Sequence, residues 1–206
     1  MRIFLGVTGA SGSLYGGRTL AALTAAGHHV GLCVSGAGTQ VISHEVLGEG
    51  PRPGSRDDVV ERFVALFADP AGAVEILDPR DIACSFASGS SRSPAALVMP
   101  CSTSSLAKIA HGTGENLIHR TAEVMLKERR HLVLVPRETP LSLVHLRNMV
   151  AVTEAGGVVL PAMPGLYTRP ASVEDMVDFV VGKVLDVIGV EHSLFPRWGA
   201  GGRVRT

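Results

Sequence analysis

The amino-acid sequence predicts an α/β fold: a doubly wound, mostly parallel sheet with a Rossmann-like arrangement. Three observations predict it. Six short apolar, β-branched runs lie at residues 2–7, 30–34, 74–77, 95–99, 131–135 and 158–160. Continuous rather than alternating apolar runs are the pattern of parallel strands buried on both faces. Helically spaced stretches lie between them, and alternating β and α segments fold as a parallel sheet covered by helices. Five of the runs lead directly into small hydroxyl residues, glycines or an Arg-Glu pair, and open α/β sheets bind ligands beyond the carboxyl ends of their strands.

Taken in order, the first run is Arg2-Ile3-Phe4-Leu5-Gly6-Val7, with glycines and polar residues immediately after it. It reads as a buried strand, because a secretory signal needs a longer apolar stretch. Residues 48–56, Gly-Glu-Gly-Pro-Arg-Pro-Gly-Ser-Arg, have the composition of a flexible surface loop. From Asp57 to Phe67, apolar residues at 59, 60, 63, 64 and 67 recur at helical spacing. Across 116–128, Leu117, Thr121, Val124 and Met125 make one stripe. A last helix opens on Ser172-Val173-Glu174-Asp175, which resembles a capping box, and keeps Val173, Met176, Val177, Val180 and Val184 on one face. Residues 1–190 read as a single domain without internal repeat, and 191–206 as a C-terminal tail, frayed from Gly199.

Composition removes several classes of function. The 206 residues are 46% hydrophobic and 18% charged, as in a globular protein. Lys plus Arg and Asp plus Glu each total 19, so no global basic field attracts nucleic acid or an anionic membrane. No apolar run approaches the roughly 20 residues that span a bilayer. Cys33, Cys84 and Cys101 are widely separated and odd in number, which predicts free thiols and a cytoplasmic setting. There is no C-x-x-C pair, and His44-Glu45 lacks the second His of a zinc helix. No metal site is expected.

The strand ends carry the candidate chemistry. After the first comes Thr8-Gly9-Ala10-Ser11-Gly12-Ser13, after the second Ser35-Gly36, and after the fourth Pro100-Cys101-Ser102-Thr103-Ser104-Ser105. The fifth leads into Pro136-Arg137-Glu138 and the sixth into Pro161-Ala162-Met163-Pro164-Gly165-Leu166-Tyr167. The first turn is neither G-x-G-x-x-G nor a P-loop. Its small residues suit a phosphate at a helix N-terminus, and they equally suit a plain tight turn. Ser102, Thr103, Ser104 and Ser105 read either as a second phosphate cradle or as a helix cap. A dinucleotide is disfavoured, because Ser35 stands where an acidic residue would hold the ribose. A mononucleotide such as FMN fits better.

Arg120 and Lys127 are seven residues apart, on one face of a predicted helix. With Arg137 and Lys183 they form a phosphate clamp if they converge; singly, each reads as a solvated charge. Glu45 and Glu138 are acid/base candidates or salt-bridge partners.

Taken together, these motifs resemble the flavin prenyltransferase family of UbiX type, once labelled aromatic-acid decarboxylases. The resemblance rests on Thr8-Gly9-Ala10-Ser11-Gly12, Pro100-Cys101-Ser102-Thr103, Leu126-Lys127-Glu128-Arg129-Arg130, Leu134-Val135-Pro136-Arg137-Glu138, Pro164-Gly165-Leu166-Tyr167, Val173-Glu174-Asp175 and Asp178-Phe179-Val180-Val181, and runs from Met1 to about Val190. It implies a Rossmann-like flavoprotein fold. It implies FMN bound by Gly9, Ala10, Ser11, Ser35, Ser102, Thr103, Ser104, Ser105 and Arg137. It implies dimethylallyl phosphate held by Tyr167 and Lys183, with Arg120 and Lys127 neutralising its phosphate. Ser11, Glu45, Glu138 and Lys127 match residues that handle protons or position reacting groups. Ala87-Ser88-Gly89-Ser90-Ser91 is similar to a loop that reaches a neighbouring subunit's flavin, and Trp198 to an aromatic residue lining the prenyl pocket. Two departures are Ser104-Ser105 in place of Gly-Thr and Lys183 where many members have Arg.

The implied activity is transfer of a dimethylallyl group to N5 and C6 of reduced FMN, making prenylated FMN for a UbiD-like decarboxylase. The implied assembly is a homo-oligomer, with a dodecamer as candidate size. The only Asp pair, Asp57-Asp58, is no metal-diphosphate motif, which favours a monophosphate donor used without magnesium. A flavin-dependent cysteine decarboxylase is the rival enzyme, but Pro140-Leu141-Ser142-Leu143-Val144-His145 lacks that family's Asn-centred motif. A non-catalytic FMN-binding subunit of a decarboxylase is the rival of another class.

Overall fold

The computed structural model describes residues 1–50 and 54–197. The chain runs β1 (Arg2–Val7), α1 (Ser13–Ala25), β2 (His29–Val34), α2 (Gly36–Glu45), α3 (Arg56–Phe67) and β3 (Ala73–Leu77). It continues through β4 (Ala95–Cys101), α4 (Thr103–His111), α5 (Leu117–Lys127), β5 (His131–Pro136), α6 (Leu143–Glu154), β6 (Val158–Val159) and α7 (Val173–Val187). The six strands form one sheet in the order β3-β2-β1-β4-β5-β6, with every neighbouring pair parallel. The chain moves outward from β1 to β3 and restarts beside β1 with β4. The topological switch point, where such sheets hold ligands, therefore lies at the carboxyl ends of β1 and β4.

Alternation along β1 divides the core. Ile3, Leu5 and Val7 face a cluster with residues of α1, α3 and α7, including Leu20, Phe63 and Val180. Phe4 faces the opposite cluster, with Leu106, Leu117 and Met125 of α4 and α5. α1 lies very close to the sheet and to α3: a Cβ on Gly16 would stand 2.8 Å from the Met99 carbonyl oxygen of β4, and one on Gly17 2.6 Å from the Phe67 ring of α3.

Three expectations need correction. β3 is an edge strand, half-exposed along most of its length, so it is not buried on both faces; Glu75 on it pairs with Arg2. Residue 56 belongs to α3, not to a loop. Ser55 caps that helix, and the Arg56 guanidinium donates to the carbonyls of Leu77 at 2.7 Å and Val34 at 3.4 Å, closing the ends of β2 and β3. The first residues of the expected tail fold back on α7: the His192 side chain is 4% exposed and the Phe195 ring packs at a tilt against Phe179, centroids 5.0 Å apart. Trp198 and residues 199–206 lie outside the described residues.

Candidate active site

The switch point is tied together by one threonine. Thr8, the residue after β1, donates from Oγ1 to the Pro100 carbonyl at 2.9 Å and accepts from the Ser102 amide at 2.7 Å. The Gly9–Ser11 turn and the hydroxyl run 102–105 are thereby fixed side by side, as the strand-end argument expects. Ser102 caps α4, its hydroxyl accepting from the Ser105 amide. Thr103 is half-buried and Ser104 exposed, whereas Ser105 lies behind them. Ser35 caps α2 in the same way, accepting from the Gly38 amide at 3.0 Å. Cys101 is a packing residue: burial pushes its thiol up to about 12, far from a reactive thiolate.

Glu45 has a role that spacing could not show. It sits at the far end of α2, and its Oε2 accepts from the amides of Gly12 and Ser13, each at 2.9 Å. The N-terminus of α1 therefore already faces a carboxylate, which leaves the amides of Gly9–Ser11 and the caps of α2 and α4 as the candidate phosphate cradle at this edge. Burial alone would raise the Glu45 pKa, but hydrogen bonds from Ser11 and from the Gly12 and Ser13 amides outweigh it and hold it below the usual carboxylate range. A group depressed on folding contributes stability above its unfolded pKa and loses it as pH falls through the folded value. Glu45→Gln is expected to cost about 1 kcal/mol at neutral pH, or about 2–4 °C in Tm. Melts of both proteins from about pH 7 to about pH 3 should show the gap closing in acid.

Gly9 is equally constrained. A Cβ there would come within 2.5 Å of the Ala37 Cβ, and 3.5 Å of the Ala37 backbone, in the first turn of α2. That methyl is fixed to the backbone and cannot swing aside. Gly9→Val is expected to cost about 1–3 kcal/mol by overpacking and to weaken FMN binding by prising the turn from α2. Gly36→Ala is the control, since a Cβ at Gly36 meets nothing within 4 Å and Tm should stay near the parent's.

Arg137 follows β5 and stands between two clefts. Its Nε donates to the Ser11 carbonyl at 3.1 Å. One cleft, of about 400 Å³, is lined by Gly9, Ser11, Glu45 and Arg137 among others. The other, of about 270 Å³, is lined by Arg137, Glu138, Met149 and Met163 among others. Glu138 Oε1 accepts from the Thr139 amide at 3.0 Å. Tyr15, which the sequence reading missed, packs against Gly12 and is near enough to feel the Arg137 charge; burial pushes its phenol pKa up. The edge thus offers amide and hydroxyl donors, a guanidinium and two carboxylates. This donor set fits a phosphorylated flavin, for which Gly9–Ser11, Ser35, Ser102–Ser105 and Arg137 are the candidate holders.

Comparison with known proteins gives the family. The family model described as Flavoprotein matches residues 1–185. A curated relative, flavin prenyltransferase UbiX of Methanothermobacter thermautotrophicus, is 47% identical over 196 residues, covering 95% of this chain and 94% of that protein. The chain belongs to the flavin prenyltransferase family. Two solved structures are similar throughout. AnUbiX (PadA1) in complex with FMN and dimethylallyl pyrophosphate has 39% identity and a TM-score of 0.84, covering 98% of each chain. The dodecameric FMN-dependent UbiX-like decarboxylase from Escherichia coli O157:H7 has 39% identity and a TM-score of 0.81, covering 97% of this chain and all of that one.

For a flavin prenyltransferase, the placement of the four expected phosphate-binding side chains is decisive, and one chain does not bring them together. Tyr167 and Lys183 lie on the flank of α7. Tyr167 meets the Phe179 ring edge-on at 5.6 Å, and Lys183, one turn beyond Phe179, pairs with Asp186 at 3.6 Å. Asp186 also accepts from Arg197 and contacts His192, two partners the sequence reading did not single out. Arg120 and Lys127 lie on α5, across the sheet. Lys127 is the last residue of that helix, just before β5, whose first residue pairs with Ala95 at the start of β4. It therefore sits at the amino edge of the sheet, about 20 Å from the carboxyl ends of the strands, given a seven-residue β4. There it pairs with Glu128 and lies against Gly89, and the Arg130 guanidinium donates to the Gly89 carbonyl at 2.6 Å. These side chains do not converge within one chain: α5 and α7 cover opposite faces of the sheet, and Lys127 lies at the far edge. The loop around Ser88, Gly89 and Ser90 shares that edge.

Proposed function

We propose that this chain transfers a dimethylallyl group from a dimethylallyl phosphate ester to reduced FMN, in a site completed by a second copy. The observation that carries the reading is the switch-point edge, where Thr8 locks the Gly9–Ser11 turn to Ser102 and Arg137 bridges two clefts, in a chain 47% identical to a flavin prenyltransferase over nearly its whole length. Bound FMN supplies the nucleophilic N5 and C6 centres. The protein's part is placement and electrostatics. The Gly9–Ser11 amides, the hydroxyls of Ser35, Thr103, Ser104 and Ser105, and Arg137 hold the flavin, with Ser102 capping α4 beside them. Glu45 keeps α1 and α2 in register, and Glu138 accepts a proton at the flavin edge beside Arg137. Tyr167 and Lys183 hold the prenyl phosphate from one chain, and Arg120 and Lys127 hold it from another.

Two facts support completion by a neighbour. Lys127 and the Ser88–Ser91 loop, both assigned to the site by resemblance, lie together at the amino edge of the sheet, opposite the carboxyl edge that carries the strand-end turns of their own chain. The outer face of α6 also carries exposed Leu143, Leu146 and Val150, apolar area of the kind assembly covers. We infer a homo-oligomer, of dodecameric size as in the Escherichia coli structure. The product is assigned to a UbiD-like decarboxylase. A cytoplasmic setting agrees with three free cysteines, and among the described residues no helix is long and apolar enough to cross a membrane.

The test is the mass of the flavin after anaerobic incubation with reduced FMN and either dimethylallyl phosphate or the pyrophosphate. One dimethylallyl unit should be gained. FMN bound but unchanged with both donors would instead make the chain a flavin-binding accessory subunit.

A further inference from the structure

Behind the hydroxyl run lies a buried histidine that the proposed chemistry does not use. His119, in the first turn of α5, is 3% exposed. Its Nδ1 accepts from the Glu115 amide at 3.3 Å, and its Nε2 lies 3.2 Å from Ser105 Oγ. Burial, helped by the Lys108 charge, lowers its pKa and keeps the ring neutral. A neutral imidazole whose Nδ1 accepts must carry its proton on Nε2, so His119 donates to Ser105. The Ser102 hydroxyl donates to the same oxygen at 3.1 Å. Both lone pairs of Ser105 Oγ are then filled, and its own proton is what remains to give.

We propose that His119 is a positioning residue of the flavin site, which holds Ser105 as a hydrogen-bond donor toward an accepting oxygen of bound FMN. The inference rests on the flavin reading above and extends it to a residue that meets no ligand itself. The arrangement has a direction. His119 is tethered by Asn116, whose side chain accepts from the His119 amide at 3.1 Å. The chain of bonds then runs from His119 through Ser105 to Ser102, and from the Ser102 amide to Thr8 at the end of β1. A side chain in the second core layer thus sets the polarity of the cradle. The accepting oxygen belongs either to the phosphate or to the ring and ribityl portion, and riboflavin separates the two.

The experiment measures FMN and riboflavin affinity by flavin fluorescence, with Tm recorded for each variant. His119→Leu should weaken FMN binding about three- to tenfold, the loss of one neutral hydrogen bond. His119→Gln, which keeps an N–H donor, should bind as the parent does. Ser105→Ala should weaken FMN similarly, and adding His119→Leu to it should cost little more, because residues acting through one bond are not additive. Riboflavin binding unaffected by His119→Leu assigns the oxygen to the phosphate; an equal loss assigns it to the rest of the flavin. The proposal is overturned if Ser105→Ala binds FMN like the parent, if His119→Gln loses as much as His119→Leu, or if the two single losses add. Where His119→Leu fails to fold, the proposal is still overturned if Ser105→Ala binds FMN like the parent or if His119→Gln weakens FMN as much as Ser105→Ala does. A parent that binds FMN without transferring a prenyl group leaves this inference standing and removes only the activity; a parent that binds no flavin removes both.

Discussion

Lys127→Met is expected to lower prenyl transfer about ten- to hundredfold, the worth of one charge-assisted hydrogen bond to phosphate, while FMN affinity stays near the parent's. The proposed flavin holders lie at the carboxyl edge of the sheet and Lys127 at the amino edge, so the two measurements should separate cleanly. Lys183→Met should show the same split from α7. The informative step combines them. If each site draws α5 from one chain and α7 from another, assemblies mixed from the two inactive variants contain some sites with both lysines. Transfer should then rise well above either variant alone, as measured by flavin mass after anaerobic reaction. Mixtures no more active than their parts would place both lysines outside the reacting site or within one chain's own site.

The second large effect is expected at Glu138. Glu138→Gln preserves shape and the bond from the Thr139 amide but removes the charge and the ability to accept a proton. General base catalysis is worth about a hundredfold or more, so attachment of the prenyl group should continue while closure of the second bond slows by roughly that factor. Stopped-flow absorbance of the flavin resolves the two phases. If both phases keep their parent rates, Glu138 serves only to hold its own turn beside Arg137.

The central strands were legible because the chemistry that buries them is uniform along each run. In β1, Ile3, Leu5 and Val7 meet one core and Phe4 the other, so both faces demand apolar residues. Helices α1 and α2 were harder to read, since glycine is a poor helix former. In α1 those glycines give closeness: Gly16 and Gly17 let the helix reach the Met99 carbonyl and the Phe67 ring, a contact local propensity does not encode. The strand-end residues of the site were legible because topology alone gathers them at one edge. Glu45 was legible as an acid, but its bond to Gly12 spans 33 positions and no spacing rule announces it. The lysines were legible as charges only. Which edge of a sheet a helical lysine leaves depends on where its helix stops, and a helix boundary is the least certain reading of a sequence.

One feature of α7 bears on how the molecule can be cut. The Flavoprotein match ends at residue 185, inside a helix that continues to Val187. Beyond it, Phe195 and His192 fill the notch at Gly182, where a Cβ would lie 2.4 and 2.5 Å from their rings. Arg197 and His192 also share Asp186. A protein trimmed at residue 185 would lose the last two residues of α7 and the Phe195 ring that packs against Phe179, which in turn supports Tyr167. The stretch matched by the family model and the stretch needed to keep Phe195 against Phe179 therefore have different ends, and an affinity tag belongs beyond Arg197.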